Sequence, residues 1–192
     1  MSDIVAIAQA LLALLDSRSF STIWYWLILA IGWSMAGRHV LGVPPDVVHR
    51  VLRKKEEGQD QAAFALLDWL SLMLPRWRIA PMDGAIVLGI SCFVLVVLLM
   101  LGFVYGLEMA QALFLLLGPL AFVALLQFRL AVRLGRLLDG ARSNQLAVYD
   151  AAQQAARQMR RLRLAISAMS IVVVAIAAYW GALWLLAHPY GF

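Results

Sequence analysis

From Ala85 to Tyr105 the chain carries no charged residue. As an α-helix this stretch would be about 30 Å long, the thickness of a bilayer's hydrocarbon core, so it reads as a membrane span. Composition points the same way: 64% of the residues are hydrophobic and 14% charged, and the mean hydropathy is +0.83. Soluble domains run nearer half apolar and a quarter charged. The expected fold class is therefore all-α, an integral membrane four-helix bundle with amphipathic interfacial helices and a short cytoplasmic helical hairpin.

The spans are placed by apolar length and by what interrupts it. The first covers residues 22–41, opening on Trp24-Tyr25-Trp26 as an interfacial anchor and stopped by Gly42-Val43-Pro44-Pro45. The second covers 84–105 and the third 109–128, so a turn at Gly106-Leu107-Glu108 makes them an antiparallel hairpin, with Gly118-Pro119 a kink in the third. The fourth covers 165–187 and ends at His188-Pro189. Residues 1–21 hold a shorter apolar stretch, Ile4 to Leu15. It lacks a basic leader and a cleavage site, and at about 18 Å it reads as an interfacial or re-entrant helix, or one packed on the bundle's edge.

Sixteen Lys and Arg stand against eleven Asp and Glu, a formal charge of +5. Seven of the basic residues, Arg38 through Arg78, lie between or flank the first two spans; eight, Arg129 through Arg163, lie between the third and fourth. Only Arg18 falls elsewhere. Positive residues concentrate on the cytoplasmic side, so both connecting segments are expected in the cytoplasm of a bacterial inner-membrane protein and both termini outside.

Residues 43–83 form the first cytoplasmic segment. Pro44-Pro45-Asp46 starts a helix, and Val47, Val48, Val51 and Leu52 give it an apolar face. Phe64, Leu67, Leu70 and Leu74 form a second stripe, ended by Pro75. This second helix is too short to span. It is expected to lie along the inner leaflet, with Trp69 and Trp77 at headgroup depth beside Arg76 and Arg78, or to pack on the spans. Residues 129–164 form the second segment, a basic hairpin in which Leu130, Leu134, Leu137 and Leu138 alternate with Arg129, Arg133 and Arg136. Ser143 or Asn144 is expected to cap its return helix, which runs into Arg160-Arg161-Leu162-Arg163.

Arg38, Trp69, Arg76, Trp77, Arg78, Arg133, Arg136, Arg160 and Arg161 are thus candidate contacts for lipid or a protein partner. The lipid bilayer itself, and its anionic lipids at the cytoplasmic face, are the first expected partners. The basic residues carry no interleaved aromatic platform or binding motif, so nucleic acid is not expected. Gly102 and Gly106, at GxxxG spacing, and Ala168, Ala175, Ala178 and Ala182 of the Ala165 stripe are candidate helix-packing positions, within the chain, in a homo-oligomer or against a membrane-protein partner.

No nucleophile elbow, phosphate-cradling loop or HExxH pattern occurs. No two histidines share a span, Asp46 is the carboxylate nearest His39 and His49, and Cys92 reads as a small buried hydrophobe. Neither cofactor nor metal is expected. Glu108 reads as a water-accessible turn residue and Arg38 as an interfacial anchor. The leading reading is a non-enzymatic accessory, assembly or scaffold subunit of a larger membrane complex. A small oligomeric channel or transporter using Arg38 or Glu108, and an inner-leaflet enzyme using His39, His49 and Asp46, are the alternatives.

The stretch Thr22-Ile-Trp-Tyr-Trp-Leu and the later Gly37-Arg-His-Val-Leu-Gly-Val-Pro44-Pro45-Asp46 resemble a group of small multi-span bacterial membrane proteins, some labelled "component of SufBCD complex". That resemblance implies a link to iron–sulfur cluster assembly. It transfers no site residue, because one Cys92 cannot scaffold a cluster.

The topology is checked by thiol labelling of intact cells. A cysteine at Ser143 is expected to react only after the inner membrane is permeabilised, and one at Gly106 without permeabilisation.

Overall fold

The computed structural model describes residues 23–38, 40–53, 59–143 and 146–187. Expectations for residues 1–21, His39, Asn144 and His188 lie outside them. The described helices are α1 (Ile23–Arg38), α2 (Pro45–Leu52), α3 (Gln59–Met73), α4 (Pro81–Leu99), α5 (Glu108–Arg142) and α6 (Val148–Ala187). A 3-10 turn follows α3 at Leu74–Trp77 and a π-helical turn follows α4 at Met100–Val104. No strand occurs among the described residues, so the protein is all-α.

Three stretches are long and apolar enough to cross a membrane: Pro81–Val104, Glu108–Arg142 and Val148–Trp184. They contain the third expected span and nearly all of the second and fourth. The described part of α1 has 16 residues, about 24 Å of helix, which is short of a hydrocarbon core of roughly 30 Å. α5 continues through Pro119 as one helix.

The chain divides into two compact units. One comprises Met1–Trp33, Gly84–Ala121 and Ser170–Phe192; the other comprises Ser34–Asp83 and Phe122–Met169. Fifteen of the sixteen basic residues and eight of the eleven acidic ones fall in the second, arginine-rich unit.

The first unit is apolar outside as well as inside. α4 buries only Leu98 within the protein, while Ile86, Val87, Ile90 and Phe93 are exposed. Cys92, expected as a buried hydrophobe, is also exposed on α4, because so little of that helix meets the rest of the chain. On α6 the chain buries Ile166, Val173, Ala177 and Gly181, whereas Ala165, Ala168, Ala175, Ala178 and Ala182 are exposed. The small-residue stripe therefore lies off the face that packs within the chain, where Ile166 and Val173 stand with Ala177 and Gly181.

The arginine-rich unit has one continuous core. It joins Val48 and Val51 of α2, Ala63, Leu66, Leu67 and Leu70 of α3, Leu130, Leu134 and Leu138 of α5, and Ala151, Ala152, Ala155, Ala156 and Met159 of α6. The two connecting segments thus pack on each other. On the expected stripe Leu67, Leu70 and Leu74 are buried, but Phe64 is 59% exposed and Leu66 takes its place in the core. Choosing Leu66 with Ala63 and Leu70 keeps the i, i+3, i+7 spacing while leaving the larger ring outside.

The turn at the start of this unit fixes how α1 meets α2. Val43 N–H donates to Val40 O at 3.1 Å, with Leu41 at φ 56° and Gly42 at φ 79°. A left-handed leucine costs about 1–2 kcal/mol. Leu41 is 1% exposed, and full burial of a leucine side chain contributes about 1.5–3 kcal/mol, so the core offsets the strain. The other connection also differs from expectation. Ser143 Oγ donates to Gly140 O at 3.2 Å and Ser143 N–H to Asp139 O at 3.0 Å, so Ser143 closes α5 instead of capping α6.

Four alanines at 151, 152, 155 and 156 are at most 1% exposed and let other core groups approach the α6 backbone closely. Replacing Ala155 with leucine is expected to destabilise the protein by about 1–3 kcal/mol through overpacking. Equilibrium unfolding from mild detergent measures this; an unchanged midpoint would contradict the packing described.

Candidate functional site: an arginine-lined cleft and a buried amide

Two polar arrangements stand out, one in each unit. In the arginine-rich unit the turn at Val40–Val43 carries the chain from Arg38, the last residue of α1, to α2 and His49. On α6, Arg160 and Arg163 follow Ala156 at i+4 and i+7, so the buried alanine stripe gives way to two guanidinium groups on the same side of the helix. Arg38, His49, Arg160 and Arg163 line one small cleft of about 30 Å³, whose floor is Val40, Val43, Val48 and Met159. No carboxylate is among its lining residues. Asp46 lies on the same short helix as His49, outside that lining.

A second cleft of the same unit brings together Trp77, Arg78 and Arg136 from the two connecting segments. Phe128 and Val132 supply apolar walls, and Asp139 supplies a negative charge beside the two arginines. Arg76, Arg133 and Arg161 are exposed and lie on neither cleft. Trp69 is partly exposed on α3, while Trp77 packs against the core. Arg38, Arg160, Trp77, Arg78 and Arg136 are therefore the expected contact residues that the fold gathers into concave surfaces. Arg163 and His49 join them through helical register that residue type alone does not display.

In the apolar unit the polar arrangement is a clamp around Gln111. The π-helical turn has Tyr105 N–H donating to Met100 O at 3.2 Å and Leu107 N–H to Leu101 O at 3.1 Å. Gly102 O thereby receives a side-chain donor: Gln111 Nε2 reaches it at 2.7 Å. Trp180 Nε1 in turn donates to Gln111 Oε1 at 2.9 Å. Phe103 lies edge-on to Phe114 at 5.8 Å and tilted against Trp180 at 5.4 Å between centroids. Gln111 is only 4% exposed, so both ends of its amide are paired where an unpaired polar group is costly. The signal for it in sequence is a lone amide one turn into an apolar run.

This clamp changes the reading of three expected residues. Glu108 is the first residue of α5 and 3% exposed, so it is a buried helix-start residue and not a water-accessible turn. A carboxylate there complements the positive end of the helix dipole. At Gly102 an added methyl would stand 2.8 Å from Gln111 N, so close packing requires glycine. Gly106 has φ +75° and nothing within 4 Å of an added methyl. It serves the turn, so within the chain Gly102 alone of the pair packs closely.

His39 lies outside the described residues, so its pairing with His49 is not described. Among the described residues no group of three or more His, Cys, Asp or Glu is placed to hold a metal ion. Compared with protein-family models, with curated proteins and with solved structures, the chain finds no match in any of the three.

Replacing Gln111 with leucine is expected to cost about 1–2 kcal/mol, since it strands Trp180 Nε1 and the Gly102 carbonyl. Gly102→Ala is expected to destabilise as well by moving the Gln111 backbone. Unfolding in mixed detergent reads both; full stability in the two variants would remove the clamp from the structure's energetics.

Proposed function

We propose that the chain is a multi-span protein of the bacterial inner membrane, with both termini outside, acting as a non-enzymatic accessory, assembly or scaffold subunit of a larger membrane complex. The observation that carries this reading is the arginine-rich unit. Segments far apart in the chain share one core and form a packed body, and helices of the apolar unit carry faces that the protein itself leaves uncovered. Such a body suits holding partners in place.

Two exposed features offer surfaces for association. The outer face of α3 presents Phe64 and Leu72, the latter 66% exposed. Phe64 lines a broad depression together with Leu67, Leu138 and Val148. The Ala168, Ala175, Ala178 and Ala182 stripe of α6 gives a second helix room for close approach. The burial of Glu108 favours one alternative, a small oligomeric channel or transporter, because a buried carboxylate at the end of an apolar helix is a common feature of conducting paths. The proposed link to proteins labelled as components of the SufBCD complex adds no residue to either surface.

Chemical crosslinking in native membranes followed by purification in mild detergent tests the role. Discrete protein partners are expected, and Phe64→Ser/Leu72→Ser is expected to reduce their recovery at least severalfold while leaving helical content unchanged. A lone monomer in native membranes, with solute flux in reconstituted vesicles that Glu108→Gln abolishes, would replace this reading with the channel.

A further inference from the structure

The geometry points to a phosphate-binding site in the cleft lined by Arg38, His49, Arg160 and Arg163. Arg38, Arg160, Arg163 and His49 all line it, and no carboxylate is among its described lining residues. Among the described residues no ion pair or side-chain hydrogen bond engages any of the four. Arg157, one turn earlier on α6, shows the contrast: its Nη2 donates to Gln153 Oε1 at 2.8 Å. Like charges gathered without an internal partner repel one another, and an anion reverses the sign of that interaction.

The shape narrows the anion. Arginine forks bind planar or tetrahedral oxyanions through paired, charge-assisted hydrogen bonds. A phosphate group, with several oxygens around one centre, can receive arginines from α1 and α6 at once. The imidazole of His49 adds a further donor. The floor of Val40, Val43, Val48 and Met159 is apolar, which strengthens each contact by excluding water from one side. The neighbouring cleft at Arg78 and Arg136 is a weaker choice, because Asp139 already supplies a negative charge among its lining residues.

Arg38 ends the apolar α1 and Arg163 precedes the apolar half of α6, so a phospholipid headgroup and a free phosphate are the two sources of this chemistry. The site stands apart from the accessory role, since it is read from the cleft alone.

The test uses the full-length protein in neutral detergent, with its thermal midpoint followed against phosphatidylglycerol in mixed micelles, phosphatidylcholine as the zwitterionic control, and inorganic phosphate separately. A saturable rise with phosphatidylglycerol or with inorganic phosphate, and none with phosphatidylcholine, is expected. Arg160→Gln/Arg163→Gln is expected to weaken the response by about tenfold or more. Arg142→Gln/Arg157→Gln, which removes the same charge elsewhere in the unit, is expected to respond as the unaltered protein does. Should the first pair fail to fold, Arg160→Lys/Arg163→Lys keeps the charge and loses the fork, and an intermediate affinity is expected. Displacement of phosphatidylglycerol by millimolar phosphate supports a free-phosphate site, and resistance to it supports a headgroup site. Equal weakening by the two glutamine pairs, or no saturable response to either phosphate probe, overturns the assignment.

Discussion

A charged side chain placed in hydrocarbon without a partner costs about 3 kcal/mol or more, and an unpaired backbone or amide group costs several. The division of the chain follows this constraint. Basic residues fall almost entirely in one unit, and the other exposes apolar side chains over most of its surface. The same constraint operates in detail inside the apolar unit. Among the described residues one side-chain amide enters there, and its donor and acceptor ends are both occupied, by Gly102 O and by Trp180 Nε1. The π-helical turn after α4 and the buried start of α5 at Glu108 are best understood together with that amide. They place backbone and side-chain polar atoms where they can satisfy one another.

The arginine-rich unit solves a different problem. Its helices carry many charges, so its core is built from small and branched side chains on narrow stripes. Leu41 shows how tightly that core is committed. A leucine in a left-handed turn persists because its side chain is buried, and the turn sets where α1 ends and α2 begins. The arginine-lined cleft is a product of the same turn. It joins residues from the end of α1, the face of α2 and the continuation of the α6 alanine stripe.

Much of the helical layout was legible because long uncharged runs and clustered arginines are signals summed over many residues. The stretch from Ala85 to Tyr105 could hardly be read otherwise. Features set by one or two residues were not legible. Phe64 and Leu66 are both apolar and two positions apart, so composition cannot say which faces inward; packing against α2 and the shared core decides it. Ser143 is a plausible cap for a following helix and a plausible close for a preceding one, and only the hydrogen bond to Gly140 O distinguishes them. Gly102 and Gly106 look equivalent in sequence, yet one is held by a neighbouring backbone and the other by a positive φ. Of the candidate contact residues, Arg38 and Arg160 share a cleft. Their grouping with Arg163 and His49 depends on a turn geometry that spacing alone does not encode.

The alanines of α6 have a consequence beyond close packing. An alanine side chain has no rotamer with which to adapt, so the 151–156 face can seat itself in only one rotational setting. Arg160 and Arg163 are carried by the same rod and inherit that setting. One residue inserted between Ala156 and Arg160 would turn both guanidinium groups by about 100° around the helix axis. Net charge and composition would hardly change, yet the positive field would point away from the cleft. The alanine ledge therefore acts as an angular index, and the arginines' chemistry depends on methyl groups that never approach the ligand.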